Sequence, residues 1–184
     1  LGRITFNPIP HVDPIGTILV PILMLTFTGF LIGWAKPVPV SVARLNSPKR
    51  DMAIVAAAGP GVNLLMATAW SLVLLLAHNL IHSVQAVALP LMLMAVAGVF
   101  VNLVLMAINL LPVPPLDGGR IVAGLLPTAA SRIFARIEPF GLVILIALLI
   151  SGVVGMILAP VVYGAVALLP GSDLVFGILP TLFP

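Results

Sequence analysis

Long apolar runs separated by short polar gaps dominate this sequence. Four of them, about Ile15 to Trp34, Met52 to Ala77, Val84 to Leu111 and Phe140 to Ala159, reach the roughly 20 helical residues that a hydrocarbon core requires. Residues 160–170 are apolar too, but too short to cross alone. They either extend the fourth helix past Pro160 or lie against the others. The pattern predicts an all-α fold, a polytopic transmembrane helix bundle forming a single domain over residues 1–184.

The gaps orient these runs. Residues 36–50 carry Lys36, Arg44, Lys49 and Arg50, and residues 112–139 carry Arg120, Arg132 and Arg136, whereas 78–85 hold neither Lys nor Arg. Basic loops are retained on the cytoplasmic side, so 36–50 and 112–139 are expected there and 78–85 opposite. Composition agrees: 61% of residues are hydrophobic and 7% charged, against about a quarter charged in a soluble domain. Mean hydropathy is +1.30. The net charge of +3 comes from few basic residues confined to the gaps, so the lipid bilayer, and not nucleic acid, is the expected partner. Cysteine is absent, which excludes disulfides and thiolate metal sites.

Prolines and glycines gather in two polar islands, NPIPHVDPIGT (7–17) and NLLPVPPLDGG (109–119). Proline breaks helical hydrogen bonding, and broken backbone survives within a membrane only where protein or a wet cavity satisfies it. The islands therefore predict an internal site. No internal repeat is visible, which disfavours an inverted-repeat transporter. Asp117 follows the second island's prolines, and Gly118 and Gly119 behind it permit a tight turn and close backbone approach. Spacing leaves two placements open: a carboxylate at bilayer depth that needs a cation or cavity, or a loop residue paired with Arg120.

The string NLLPVPPLDGGR (109–120) resembles the Asn-x-x-Pro-x-Pro-x-Leu-Asp-Gly segment that supplies the third zinc ligand in the site-2 protease family. Upstream, AAAGPGVNLLMA (56–67) resembles the family's Gly-Pro-x-x-Asn helix, one apolar run earlier as in the family. LGRITFNPIPHVDPIGT (1–17) resembles the stretch that follows the zinc-binding helix in compact prokaryotic-type members. The resemblance implies Zn2+ as cofactor, with Asp117 a metal ligand and Asn63 and Asn109 holding the substrate backbone or polarising its carbonyl. Transmembrane helices of other membrane proteins are the implied substrates, and a prokaryotic plasma membrane the implied location.

The family's His-Glu-x-x-His helix pairs two zinc ligands with a general-base Glu, and that string does not occur in this sequence. The expectation is an N-terminally incomplete protease core with that helix upstream of Leu1. The full-length protein would be a zinc metalloendopeptidase and residues 1–184 alone inactive. A non-catalytic scaffold derived from the family, or a small transporter or channel, are the competing classes.

Other polar residues have plainer readings. His78 and His82 share a helical face, but Asn79 replaces the base, and the pair falls in the loop opposite Asp117, so interfacial histidines are expected. His11 and Asp13 are expected to support a metal ligand by hydrogen bonding or to shape a proline-rich turn. Ala56, Ala57, Gly59, Gly61 and Ala67 offer a small-residue surface for helix packing, while Asn63 and Asn102 need partners in hydrocarbon. The seven methionines read as core and lipid-facing filler.

Overall fold

Pro48 opens the first described helix, where its missing N–H goes unused and its fixed φ suits the first turn. In a computed structural model this helix, α1, runs Pro48–Asn79. The structure describes residues 47–114 and 116–182, together with Ile18, Leu19, Ile22 and Thr26. The expected span from Ile15 to Trp34 and the island holding His11 and Asp13 thus lie outside the described residues, those four positions excepted. The chain divides into units Leu1–Leu45 and Asn46–Pro184, and all the helices from Pro48 onward belong to the second.

At the start of α1 the Asp51 carboxylate accepts the Ser47 backbone N–H at 3.0 Å, placing an anion where the helix dipole favours one. Residues 80–84 turn the chain into α2, Gln85–Asn109. These two helices are long and apolar enough to cross a membrane. Along α1 the buried positions are Ala53, Ala56, Pro60, Ala67, Ser71, Leu74 and Ala77, a mostly small-residue stripe that lets another backbone come close. Ala57 and Gly61, expected on that surface, are instead exposed, because each lies one position, about 100° of helix, past a buried residue.

Close approach of α1 and α2 is most evident where the Trp70 ring lies on Gly98, whose Cβ would fall 2.6 Å from the indole. That contact fixes an antiparallel register. The eleven positions from Trp70 back to Gly59 match the eleven from Gly98 on to Asn109, so α2 stops about level with Gly59. Beyond that point α1 continues for about 16 Å to Pro48. The space beside it is taken by a short helix, α3, Asp117–Leu125. A Cβ on Gly124 would lie 2.6 Å from the Ala53 Cβ and 2.9 Å from the Lys49 carbonyl oxygen, and Lys49 Nζ donates to the Leu126 carbonyl. With Asp117 beside Gly59, α3 runs antiparallel to α1 and resumes the path that α2 leaves. The segment expected as one loop, 112–139, therefore begins alongside the apolar part of α1.

Helix α4, Thr128–Ala135, and a 3-10 turn, Glu138–Phe140, lead to α5, Gly141–Ile150. A single helix expected from Phe140 to Ala159 is not what forms. Gly152, at φ 76°, adopts a left-handed conformation open to glycine at little steric cost and ends α5. Helix α6 then runs Val153–Ala167 straight through Pro160, so the apolar stretch after Pro160 continues a helix. A second left-handed glycine, Gly171 at φ 72°, turns the chain into α7, Ser172–Leu182. That turn is held to α1 where the Ser71 hydroxyl donates to the Pro170 carbonyl.

The core is shared by α1, α2, α6 and α7, with Leu74, Val96, Val99, Leu103, Val166 and Val175 fully buried. Outward-facing side chains are just as apolar: Leu65 and Leu76 on α1 are 70% and 63% exposed, and Val87 on α2 is 65% exposed. Water does not tolerate such continuous faces, whereas lipid does. Among the described residues the fold is all-α, as expected.

Candidate functional site

The site is built where α2 stops. Leu110 and Leu111 leave the helix, the Val113 N–H donates to the Leu111 carbonyl at 2.8 Å, and the Leu116 N–H donates to the Val113 carbonyl at 2.9 Å. These tight turns fold the Pro-rich link onto the first turn of α3. Gly118 and Gly119 permit this. A Cβ on Gly118 would strike the Leu110 and Leu111 carbonyl oxygens, and one on Gly119 would sit 2.7 Å from the Pro114 nitrogen. Both glycines are buried.

Asp117 is thereby presented to α1. Its side chain is half-buried, and Oδ2 lies where a Cβ on Gly59 would be only 2.7 Å away. Gly59 is thus a slot that fits the carboxylate. Pro60, buried next to it, donates no backbone N–H, so the Ala56 carbonyl loses its usual helical partner one turn back. Asn63, half-buried, stands one turn beyond Gly59 on the same face. Asn109 closes α2 immediately before Leu110, and is also half-buried. The break therefore gathers Asp117, Asn109, Gly118 and Gly119 beside the Gly59–Asn63 turn of α1.

Position along α1 bears on the two placements that spacing left open for Asp117. Gly59 lies about 10 Å along α1 from Met52, where the apolar stretch begins, so Asp117 sits beside the apolar length of the helix. Arg120, one turn on, is exposed, and among the described residues Asp117 forms no ion pair or hydrogen bond with it or any other group. An ionisable side chain so placed is costly and marks function more often than packing. Asn102 differs, since its amide donates to the Gly98 carbonyl of its own helix at 2.8 Å.

The histidines of the 78–85 turn do not join this site. His78 is about 28 Å along α1 from Gly59, and both His78 and His82 are exposed. His11 and Asp13 lie outside the described residues. Among the described residues no group of three or more His, Cys, Asp and Glu side chains is placed to hold a metal. A catalytic zinc takes three protein ligands and a water, so Asp117 fits as one donor of a set and the described residues do not hold the ion by themselves. Two contributors escape sequence reasoning. Gly59 is legible there only as a packing residue, although the Gly-Pro dipeptide within an apolar run signals a local break. Lys49 registers only as a topology charge.

Comparison with known proteins bears on this geometry. Residues 79–152, which include Asn109 and Asp117–Gly119, match the family model described as Peptidase family M50. A protein of Bacillus subtilis (strain 168) named "Putative zinc metalloprotease YwhC" is 35% identical over 160 residues, covering 86% of this chain and 70% of that protein. No solved structure matches the chain.

Proposed function

Since this chain belongs to peptidase family M50, we propose that it forms the core of an intramembrane zinc metalloprotease that hydrolyses peptide bonds in the transmembrane helices of other proteins. The observation that carries this is the Asp117 carboxylate, seated on Gly59 at the α2–α3 break and without a protein partner among the described residues. It supplies one zinc ligand. The remaining ligands and the general base belong to a His-Glu-x-x-His helix that the resemblance implies and this sequence does not contain. Zinc, when bound, supplies a polarised water and a Lewis acid for the scissile carbonyl.

The chain's own residues position. The close packing of Gly118 and Gly119 against the link fixes the start of α3 and hence the direction of the carboxylate. Asn63 and Asn109 present amides that can donate to a carbonyl oxygen developing negative charge, or to the backbone of a substrate held in extended form. A helical substrate must be locally unwound to be cut, because its peptide carbonyls are occupied in its own hydrogen bonds. The interrupted α2–α3 path leaves irregular backbone at the depth where such a segment would be held. The Lys49/Arg50 end of α1 is assigned to the cytoplasmic side by its charge.

The test uses full-length protein purified with its metal. Asp117→Ala is expected to lower proteolysis of a membrane-protein substrate by more than the 10- to 100-fold, roughly, that loss of a supporting residue costs, and to reduce bound zinc. Circular dichroism should be unchanged. Zinc stoichiometry and activity that both survive the substitution would remove Asp117 from the ligand set. A full-length protein that binds its membrane targets but no zinc would be the scaffold, and metal-independent ion flux through vesicles would identify the transporter.

A further inference from the structure

Helix α4 has one face occupied and another that, among the described residues, stands exposed. On the occupied side, the Ser131 hydroxyl donates to the Ala123 carbonyl at 2.9 Å. Phe134 there lines a small cavity with Pro114, Gly119, Arg120, Ala123 and Glu138. No residue of α4 is buried. On the other side Ala129, Ile133, Ile137 and Phe140 follow at spacings of four, four and three, one stripe along the helix and the turn after it. Ile133 and Phe140 are 65% and 64% exposed. Arg132 and Arg136, both exposed, each precede an isoleucine of the stripe by one position and flank it.

Two further observations say what meets this face. The axis of Thr128–Phe140 makes an angle of 70° with that of Val143–Ile150, and α5, GLVILIALLI, contains no polar side chain. With α5 along the bilayer normal, a segment at 70° to it runs close to the membrane plane. In addition, Lys49 holds the Leu126 carbonyl, which pins the start of α4 to the basic end of α1. The segments joined there, 47–51 and 126–140, carry Lys49, Arg50, Arg132 and Arg136 with two carboxylates, Asp51 and Glu138, while the turn at 78–85 has no Lys or Arg. An apolar stripe bordered by arginines complements a surface that is oily and anionic together.

We propose that α4 and the turn to Phe140 lie in the headgroup layer of an anionic leaflet, with Ile133, Ile137 and Phe140 among the upper acyl chains and Arg132 and Arg136 on lipid phosphates. Arginine suits this role because its stem follows apolar surface while the guanidinium reaches outward and grips phosphate in a forked pair. The docked helix holds the far end of α3 from the membrane side, as Lys49 holds it from the protein side. This assignment does not depend on zinc or proteolysis.

Residues 1–184 contain no cysteine, so single-site labelling needs only that any cysteine outside them be replaced by serine. Full-length protein carrying Ile133→Cys, and separately Thr128→Cys about 140° around the helix, is labelled with an environment-sensitive fluorophore. It is reconstituted into vesicles of phosphatidylcholine with or without phosphatidylglycerol. Position 133 should be quenched by a headgroup-attached nitroxide lipid and spared by aqueous iodide, most strongly with phosphatidylglycerol present, while position 128 does the reverse. Each arginine near an anionic surface favours docking by about fivefold, so R132Q with R136Q should shift the docked-to-undocked ratio about thirtyfold. Iodide quenching of both positions alike would overturn the proposal, and so would shielding of position 133 from both quenchers, which would mean that protein covers it. Lipid quenching at 133 indifferent to phosphatidylglycerol and to both arginines would overturn the anionic assignment. Folding is controlled by the Thr128→Cys signal, which should not move in the double variant.

Discussion

Two of the glycine-bearing breaks among the described helices, at Gly152 and at Gly118–Gly119, are made differently. At Ser151–Gly152 the chain turns through a left-handed glycine with nothing within 4 Å of where its Cβ would stand. Ser151 satisfies itself by donating to the Leu148 carbonyl at 3.0 Å. At the α2–α3 break, neither Gly118 nor Gly119 has a positive φ, yet both are enclosed by backbone. There glycine serves contact, and the contact aims a carboxylate at a neighbouring helix. A break that only turns the chain needs a backbone angle. One that builds a site needs a missing side chain.

The contrast is sharpest at Gly118. Gly118→Ala places a methyl group against two carbonyl oxygens that belong to the chain itself, and neither can swing aside as a side chain would. Overpacking of this kind is expected to cost on the order of 3 kcal/mol, read as a shift in denaturant unfolding of the full-length protein in micelles, with proteolysis and zinc binding lost as well. A variant as stable and active as the parent would mean that the link is not packed on α3 as described.

Gly59→Ala separates function from stability. The atom its methyl would meet is the end of the Asp117 side chain, which can rotate away, so the cost to folding should stay under about 1 kcal/mol. The carboxylate, however, leaves its slot. Activity is expected to fall roughly 10- to 100-fold, as when a supporting residue of a metal site is lost, with weaker zinc retention. Equal activity in the two proteins would show that the slot does not aim Asp117. Lys49→Met keeps most of the packing but removes the donor to the Leu126 carbonyl. Hydrogen bonds to charged groups contribute about 1.5–3 kcal/mol, and a partly exposed one such as this should sit near the low end. Faster amide exchange over α3 would report it, and Lys49→Arg should restore it.

Much of this arrangement is legible in the sequence, and the remainder is hidden for identifiable reasons. Apolar runs of more than 20 residues locate α1 and α2 to within a few positions, because the bilayer imposes length and composition together. The Asn-x-x-Pro-x-Pro-x-Leu-Asp-Gly string marks the break and Asp117, since proline and paired glycine within an apolar run have few structural uses. Hydropathy cannot register Gly152. One glycine barely lowers the apolar average, yet its left-handed angle divides the expected fourth span into α5 and α6. Gly59 is underestimated for a related cause: its partner lies 58 positions away in sequence, and only the antiparallel register of α1 and α2 brings them together. That Lys49 caps α3 is a tertiary fact of the same kind.

The smallest expected effect tests the opposite half of the comparison. Gly152→Ala meets no neighbour, so only the left-handed angle opposes it, and a single non-glycine residue in that region costs roughly 1–2 kcal/mol. The chain can relieve this by relaxing toward a right-handed turn, which would straighten α5 into α6 and lower the cost further. Stability should therefore drop by about 1 kcal/mol or less, with proteolysis and zinc content unchanged, because no side chain of this break reaches Asp117. A marked loss of activity in Gly152→Ala, at retained stability, would mean that the bend between α5 and α6 bears on catalysis. The division between a glycine that turns and a glycine that builds would then fail.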